Sequence, residues 1–324
     1  MKNIVMTEPI RVSPSQLNVW LSCPQAWHYG YVEKIKPKGT KVYFNVGSYA
    51  HEIMHVYFHL LQAGYEHGSE FIRNSMLTRL RSDFEKLVSD GQIPSSEALI
   101  VMKKVSTIFF KYVDYQSSII DSGIEVENVE HSIEVEHTLP SGRTVLLNGI
   151  VDLLYRKASK RRVRDHKSGE NSGYYSQEKT KALQQLWFYV IIYHHLGIPI
   201  DLMEISFLST YDYKPKKGET VANPTLDQLF KFYPVEINPE MIKVMSSWLD
   251  QTLDAMLSSS IYRNIHPGCT LCGFWSICKT EMRGISSRGV ILGNYERKPE
   301  NAKISDKHST GSTDSFTLDN ITFS

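Results

Sequence analysis

The chain has 324 residues, of which 41% are hydrophobic and 22% are charged, which is enough apolar content for a sizeable folded core. It has no run of about 18 apolar residues and its start does not resemble a secretory signal, so we expect a cytoplasmic protein without a membrane partner. Lys and Arg number 36 against 35 Asp and Glu, and a net charge of +1 does not by itself indicate a nucleic-acid partner. Four cysteines are too few for a secreted disulfide scaffold.

The first part of the chain is predicted to be mainly helical. After a short leader, Ser13 and Pro14 suit the start of a helix. A second helix is predicted over 47–63, because apolar residues recur there at helical spacing. Residues 70–120 repeat apolar positions three and four apart, so the helical part is expected to cover about 48–122.

From about residue 123 the pattern changes to strands. The segment EVENVEHSIEVEHTL alternates, VLLNGIVDLLYR is an apolar run short enough for a buried strand, and VRDHK is a third strand after a turn. Helices are then predicted at 178–197 and 239–260, with strands near 201–213 and 230–237. This order is typical of an α/β fold with a helical part ahead of a catalytic core at about 123–236.

Two acidic residues lie on successive predicted strands of this core. Asp152 interrupts the apolar run, and Asp165 lies on the next strand, two residues before Lys167. Alternate residues of a strand share a face, so Asp165 and Lys167 are expected to project together, beside the strand of Asp152. Two such carboxylates suit Mg²⁺ or Mn²⁺, and the backbone carbonyl of His166 can add an oxygen. The set predicts metal-assisted phosphodiester hydrolysis, with a structural Asp152–Lys167 ion pair as the alternative.

Polar residues nearby extend this candidate site. Gln185 and Tyr189 share a face of the predicted helix 178–197, and they suit contact with a DNA phosphate or the attacking water, unless Tyr189 is a core aromatic. Basic residues between the two acidic strands are candidates for phosphate contacts or for a solvated hairpin turn. They are Arg156, Lys157, Lys160, Arg161, Arg162 and Arg164.

The cysteines are unevenly distributed along the chain. Cys269, Cys272 and Cys278 lie close together, whereas Cys23 is near the other end. Four thiolates with none to spare indicate one site that uses all of them, holding either zinc or an iron–sulfur cluster. Zinc ligands usually come as two close pairs, so a split of one and three favours a [4Fe–4S] cluster. Four free structural cysteines are the alternative.

Taken together, these segments resemble the RecB-like branch of the PD-(D/E)xK nuclease superfamily, and in particular its iron–sulfur exonucleases, such as the CRISPR-associated Cas-four type and the AddB nuclease domain. They occur in the family's order over nearly the whole chain up to residue 282. The matching segments are SPSQLNVWLSCPQAWHYGY with Cys23, GSYAH with His51, GIVDLL with Asp152, RDHKSG with Asp165 and Lys167, QLWFY with Gln185 and Tyr189, and HPGCTLCGFWSIC with the last three cysteines. Asp165 is a mild departure, since many relatives carry Glu there.

The resemblance implies a role for each residue of these motifs. The residues implied in binding Mg²⁺ or Mn²⁺ are His51, Asp152, Asp165 and His166. Those implied in catalysis are Asp152, Asp165, Lys167, Gln185 and Tyr189. Those implied in holding a [4Fe–4S] cluster, with zinc the less favoured choice, are Cys23, Cys269, Cys272 and Cys278.

The resemblance also implies the fold. We expect an α/β restriction-endonuclease-like core, with a central mixed sheet flanked by helices, an N-terminal helical insertion and a terminus braced by the iron–sulfur cluster. Residues 1–282 would form a single nuclease domain in which the cysteine segment 262–282 joins Cys23. Residues 283–324 are rich in Ser, Thr, Asn, Asp and Lys, and we expect them to form a polar, flexible tail.

The implied function is a metal-dependent DNA nuclease that hydrolyses phosphodiesters with metal-activated water, leaving a 5′-phosphate and a 3′-hydroxyl. We expect an exonuclease acting on single-stranded DNA or DNA ends. The chain has no P-loop helicase motif, so its expected partners are DNA and a helicase, recombinase or CRISPR-adaptation protein. CRISPR, phage recombination and DNA repair are all compatible with these motifs. Trp20, Trp27 and Tyr31 are candidates for base stacking, although core packing is the preferred interpretation.

Two other functions fit part of the sequence. His51-Glu52-Ile53-Met54-His55 is a literal H-E-x-x-H motif, so the chain could be a zinc metallopeptidase with Glu52 as the base. That hypothesis leaves the two acidic strands and the cysteines unexplained. The other alternative is a non-catalytic DNA-end-binding recombination subunit with the same fold, against which the complete set of acids and lysine argues.

Overall fold

The chain divides into two compact units. This computed structural model describes residues 9–38, 42–89, 94–115, 123–170, 172–211, 213–214, 217, 225–258 and 261–297. Among them, 9–22 and 42–258 belong to the first unit, and 23–38 and 261–297 belong to the second. The single domain predicted for 1–282 is therefore two units, because the segment that begins at Cys23 clusters with the C-terminal segment.

The elements of both units follow in chain order. The strands are β1 (Ile10–Val12), β2 (Ile35–Pro37), β3 (Ile124–Thr138), β4 (Thr144–Lys157), β5 (Lys160–Gly169), β6 (Leu202–Ser209), β7 (Phe230–Glu236) and β8 (Tyr295–Arg297). The α-helices are α1 (Pro14–Ser22), α2 (Pro24–Trp27), α3 (Val42–Gln62), α4 (Glu70–Ser89), α5 (Ser95–Tyr115), α6 (Gln177–Lys181), α7 (Gln184–His195), α8 (Leu226–Leu229), α9 (Pro239–Ser258), α10 (Trp275–Met282) and α11 (Arg288–Asn294). A π-helical turn covers His28–Val32, and 3₁₀ turns cover Ser172–Tyr174 and Pro267–Leu271.

A six-stranded mixed sheet forms the centre of the first unit. β4 is antiparallel to β3 along its whole length and antiparallel to β5 over its second half. β6 is parallel to β5, and β7 is antiparallel to β6. The short β1 is parallel to the start of β4. A mixed sheet with helices is the α/β architecture expected from the sequence, and it brings the two acidic strands β4 and β5 side by side.

Hydrophobic residues attach helices to this sheet. The helices α3, α4 and α5 share one apolar core with residues of β3 and β4. Every residue of α7 from Leu186 to Tyr193 is buried, as expected for a helix enclosed by protein on all sides. In the part of the chain that the structure describes, no helix combines the length and the apolar character that a membrane crossing requires.

Two local features differ from the predicted elements. β1 lies in the segment that was predicted to be a leader, because a three-residue strand is too short to show a periodic pattern. The helix predicted over 178–197 is divided in two, since Leu183 between α6 and α7 has an extended conformation. This break gives the start of α7 a direction of its own.

The second unit is small and has its own core. β2 and β8 form an antiparallel pair, and the buried core consists of Tyr29, Ile35, Ile277 and Tyr295. The prediction that a flexible tail begins at 283 was wrong for residues 283–297, which contain α11 and β8. The prediction failed there because β8 pairs with β2, which is near the other end of the chain, and no local sequence pattern reveals such a pairing. The remainder of the predicted tail lies outside the described residues.

A buried ion pair joins the parallel strands β5 and β6. Arg164 and Glu204 are directly opposite each other, are 2% and 3% exposed, and their Nε and Oε1 atoms lie 2.7 Å apart. The hydroxyl of Tyr155 donates to the same carboxylate and accepts a hydrogen bond from Nη2 of Arg164 at 3.0 Å. The charges of this pair are therefore balanced inside the protein.

Replacing Arg164 with Met should destabilise the protein by about 3–5 kcal/mol, because it leaves the buried Glu204 carboxylate without a counter-charge. The double variant Arg164→Met/Glu204→Leu should recover most of that loss. The exposed pair of Lys160 and Glu236 is the matched control, and Lys160→Met should cost less than about 1 kcal/mol. Urea unfolding measures all three, and equal losses in the two single variants would contradict the expectation.

Candidate active site

Along one edge of β4, the neighbouring strand changes from β1 to β5 close to Asp152. Because β3 occupies one edge of β4, both other partners use the opposite edge: β1 pairs at 145–147, and β5 pairs from Leu153 onward. Residues 148–152 therefore face a gap between β1 and β5. β5 continues beside β6 through Asp165 and Lys167 after it has left β4. The sheet thus opens between Asp152 and Asp165 and leaves room for their side chains.

The Asp152 carboxylate takes the place of a strand partner in this gap. Its Oδ2 accepts a hydrogen bond from the backbone N–H of His166 at 2.7 Å and lies 3.3 Å from Nδ1 of His51 on α3. Burial alone would raise the pKa of Asp152, but the neighbouring His51 outweighs it and holds the pKa well below its ordinary value. Burial also disfavours the charged form of His51 and so lowers its pKa. The nearby Asp152 carboxylate outweighs burial, and the pKa of His51 is raised above its ordinary value. Both groups are therefore favoured in their charged forms.

Asp165 forms a buried ion pair with Lys167. Asp165 is fully buried, and the Nζ of Lys167 lies 2.6 Å from its Oδ2 atom. Beyond this ion pair, neither carboxylate oxygen has a hydrogen-bond partner among the described residues. Burial raises the pKa of Asp165 and Lys167 opposes that rise, while Asp152 adds to it. A carboxylate in this state is costly unless cations surround it, which makes Asp165 suited to a metal.

A chain of polar contacts leads from Lys167 to α7. The Lys167 Nζ donates to Oε1 of Gln185 at 3.3 Å, and Nε2 of Gln185 donates to the hydroxyl of Tyr189 at 3.0 Å. Gly149 lies in the gap beside β4, and a Cβ added to it would be only 2.8 Å from Cε1 of Tyr189. The missing side chain at Gly149 is therefore what lets Tyr189 approach the acids.

His166 holds Asp152 through its backbone and packs through its side chain. The imidazole stacks on Phe58 with ring centroids 5.5 Å apart, and its Nδ1 lies 2.6 Å from the hydroxyl of Ser206. Burial lowers the pKa of His166 to about 3, so the ring is neutral. The sequence did not indicate these contacts. A metal contact through the His166 carbonyl stays a prediction.

Glu130 is a candidate ligand that the sequence analysis missed. It lies between the paired residues Val129 and His131 of β3, opposite Asp152, and has a positive φ of 46°. One donor atom each from His51, Glu130 and Asp152 lie within 4.8 Å of one another. Burial, and then the Asp152 charge, raise the pKa of Glu130 to about 8. The only sequence signal is the three-residue spacing of Val126 and Val129, which breaks the alternation of β3.

This donor set of carboxylates and an imidazole fits a divalent cation such as Mg²⁺ or Mn²⁺. The family description "PD-(D/E)XK nuclease superfamily" matches residues 11–279. The chain belongs to the PD-(D/E)XK nuclease superfamily. Members of the superfamily are typically nucleases that cleave phosphodiesters with Mg²⁺ or Mn²⁺, so binding of DNA is expected of this one. No curated protein matches the sequence.

Among solved structures, the fold of this PD-(D/E)XK chain is similar to the crystal structure of SSO0001. The two share 10% sequence identity and a TM-score of 0.38, over 84% of this chain and 87% of that chain.

The H-E-x-x-H motif is not assembled as a peptidase site in this PD-(D/E)XK protein. Glu52 forms an ion pair with Arg79 at 3.1 Å, and the rings of His55 and His59 lie 4.5 Å apart. Among the described residues, the metal-binding group that contains His51 includes Glu130 and Asp152 rather than His55. One histidine of the motif therefore belongs to the nuclease site.

The basic turn between the acidic strands has other partners in the structure. Arg156 and Arg161 both bind Glu127, and Lys160 binds Glu236 at 2.6 Å. Arg164 is buried with Glu204. The turn also lies six residues from Asp152, which is about 20 Å along a strand. The predicted phosphate contacts of this group are therefore not favoured by the structure.

The four cysteines come together in the second unit. Cys23 precedes α2, Cys269 is in a 3₁₀ turn, Cys272 follows that turn, and Cys278 is on α10. None of them forms a disulfide bond. Burial raises the pKa of Cys272, and the other three thiols raise it further, so all four lie near one another. No three of these described sulfurs lie mutually within 4.8 Å.

The raised pKa of Glu130 predicts how metal-free stability depends on pH. The carboxyl titrates near 4.5 when unfolded and at about 8 when folded, so folding stability falls as the pH rises between these values. Glu130→Gln should therefore raise the Tm of the EDTA-treated protein at about pH 9 by a few degrees, and by less at about pH 6. Mn²⁺ should stabilise the variant less than the wild type. Glu125→Gln, an exposed change on the same strand, is the control and should alter neither result.

Gly149→Ala should disturb Tyr189. The new methyl group would overlap the tyrosine ring, so we expect a loss of about 1–3 kcal/mol in the free energy of unfolding. The variant Gly149→Ala/Tyr189→Leu, which removes the ring, should be less sensitive to the added methyl than the wild-type background. Additive effects of the two changes in urea unfolding would contradict this contact.

Proposed function

We propose that this chain is a metal-dependent DNA exonuclease of the RecB-like, iron–sulfur branch of its superfamily, acting on single-stranded DNA or DNA ends. One observation carries the proposal: Asp152, Asp165 and Lys167 meet where β4 and β5 separate, with His51 beside them. The helices α3–α5 ahead of the sheet would form the N-terminal insertion. The protein would cooperate with a helicase, recombinase or CRISPR-adaptation protein, in repair, phage recombination or CRISPR adaptation.

The metal would be held by His51, Asp152 and Asp165, with Glu130 as an additional ligand and the His166 carbonyl as a further oxygen. A divalent cation at this site supplies Lewis-acid activation of water and neutralises charge on the phosphate. His166 fixes the Asp152 carboxylate through its backbone N–H, so this ligand is oriented before substrate binds. Its buried, neutral ring adds no competing positive charge.

Lys167 would act on the scissile phosphate. Burial lowers its pKa, but Asp165 outweighs burial and raises the pKa above its ordinary value, so the ammonium stays charged at neutral pH. A fixed positive charge stabilises the developing negative charge of the attacked phosphate. Gln185 holds Lys167 in place and is itself held by Tyr189, which makes these two positioning residues. The products would carry a 5′-phosphate and a 3′-hydroxyl.

The four cysteines would hold a [4Fe–4S] cluster that braces the C-terminal segment. Tetrahedral zinc, with Zn–S bonds of about 2.3 Å, requires sulfurs about 3.8 Å apart. The split of one cysteine and three along the chain favours a cubane over such a zinc site, with each thiolate binding a different iron. Two backbone N–H groups point at the sulfurs: His266 at Cys269, 3.4 Å, and Phe274 at Cys272, 3.5 Å. Such contacts stabilise thiolate charge.

Cleavage of end-labelled DNA by anaerobically purified protein tests the proposed function. With Mn²⁺, the wild type should shorten labelled single strands progressively, Asp165→Ala should abolish cleavage, and Lys167→Gln should slow it by about 10²–10⁴-fold. Glu52→Gln is the matched control, because it removes the base that a peptidase would need and should retain nuclease activity. Wild-type protein with an intact cluster that leaves every DNA substrate uncut would overturn the proposal and favour a DNA-binding subunit.

A further inference from the structure

Two tyrosines, one exposed and one partly buried, follow the strand that carries Asp165 and Lys167. β5 ends at Gly169, and the segment after it contains Tyr174, which is 69% exposed, and Tyr175. The two rings are 5.1 Å apart and nearly perpendicular. The Nζ of Lys179, one turn into α6, lies 4.3 Å from the centre of the Tyr174 ring. The rings therefore form a small aromatic surface, with the Lys179 ammonium over one face of Tyr174.

This surface is held in a fixed conformation. Ser176 caps α6 by accepting the backbone N–H of Lys179 at 3.2 Å, and its carbonyl accepts the hydroxyl of Thr180 at 2.9 Å. The indole N–H of Trp187 on α7 donates to the carbonyl of Lys181 at 2.6 Å. These contacts order the backbone around the tyrosines, and the large exposed fraction of Tyr174 leaves part of its ring accessible to a ligand.

The surface also lies next to the catalytic lysine. Tyr175 packs on Phe207 with ring centroids 5.5 Å apart, and Phe207 is the residue of β6 that pairs with Lys167. A strand of DNA with its phosphate at Lys167 would thus place its next nucleotides over Tyr175 and Tyr174.

We propose that Tyr174 and Tyr175, together with Lys179, form a platform that stacks unpaired bases of single-stranded DNA beside the active site. The inference rests on the proposed nuclease function and specifies its substrate. Every base has a flat π face, so stacking on tyrosine is independent of sequence, whereas a duplex keeps those faces inside. Lys179 is suited to the phosphate between the stacked bases.

Other aromatic residues are less suited to this role. Trp20 and Trp27, two of the three candidates from the sequence, are each only 9% exposed and belong to the packed interior. Tyr211, which follows β6, is 49% exposed, but it packs edge-on against Tyr213 at 4.8 Å. The pair after β5 is therefore the platform that the geometry favours.

Binding measurements can separate stacking from general attraction to DNA. Each protein would carry Asp165→Ala, so that no DNA is cut, and fluorescence anisotropy would report the Kd for three probes: an oligothymidylate, an abasic strand of the same length, and a blunt duplex. Tyr174→Ala and Tyr175→Ala should each weaken oligothymidylate binding by about tenfold and leave the abasic strand and duplex unchanged. Tyr174→Phe and Tyr175→Phe keep the rings and should bind as the parent does.

Lys179→Gln should weaken binding of the oligothymidylate and the abasic strand alike, because its partner is a phosphate. Lys160→Gln, at the distant turn of the β4–β5 hairpin, is the matched control and should bind all probes as the parent does. Equal losses on abasic and thymidylate strands for the tyrosine variants, or no loss at all, would overturn the platform. If the unmodified protein cuts single strands while Tyr174→Ala and Tyr175→Ala bind DNA normally, only the platform fails. If the unmodified protein cuts no DNA, the nuclease function fails as well.

Discussion

The site depends on the separation of β4 from β5 next to a buried carboxylate. A sheet that lost a strand partner at residues 148–152 would normally leave backbone groups without hydrogen bonds. Here the Asp152 carboxylate accepts the N–H of His166, and a histidine from α3 balances its charge. The proposed cation would lie in this opening, next to the carboxylates of Asp152 and Asp165. The position of each other site residue follows from this opening.

Charges in the site are arranged in pairs that leave a surplus of acceptor atoms. His51 faces Asp152 and Lys167 faces Asp165, yet both oxygens of Asp165 are buried without a hydrogen bond, and Glu130 adds a third carboxyl. A purely structural cluster would gain stability from satisfying these oxygens. An incompletely satisfied set is what a metal site requires, because the cation supplies the missing charge. The buried pair of Arg164 and Glu204 shows the contrast, since its partners satisfy one another.

The two units contain different candidate sites. The first contains the sheet, the acids and the tyrosines that follow β5, whereas the second gathers all four cysteines around a small apolar core. A unit of that size has few buried residues of its own, and small domains commonly rely on a metal or a cluster for stability. The proposed cluster would supply such stability to this unit.

Sequence alone determined the α/β class, the main strands of the core and most of the residues that meet in the site. Periodicity identified β3 to β7, since amphipathic strands and buried runs carry their signal locally. Asp152, Asp165, Lys167, Gln185 and Tyr189 were predicted from metal and phosphate chemistry, and His51 from the resemblance to the nuclease family; their roles stay predictions. Tertiary structure alone revealed Glu130, Gly149 and Tyr175, because their importance comes from what lies opposite them. The short strands β1 and β8, and the true extent of the C-terminal segment, also depended on partners distant in sequence, which local patterns do not record.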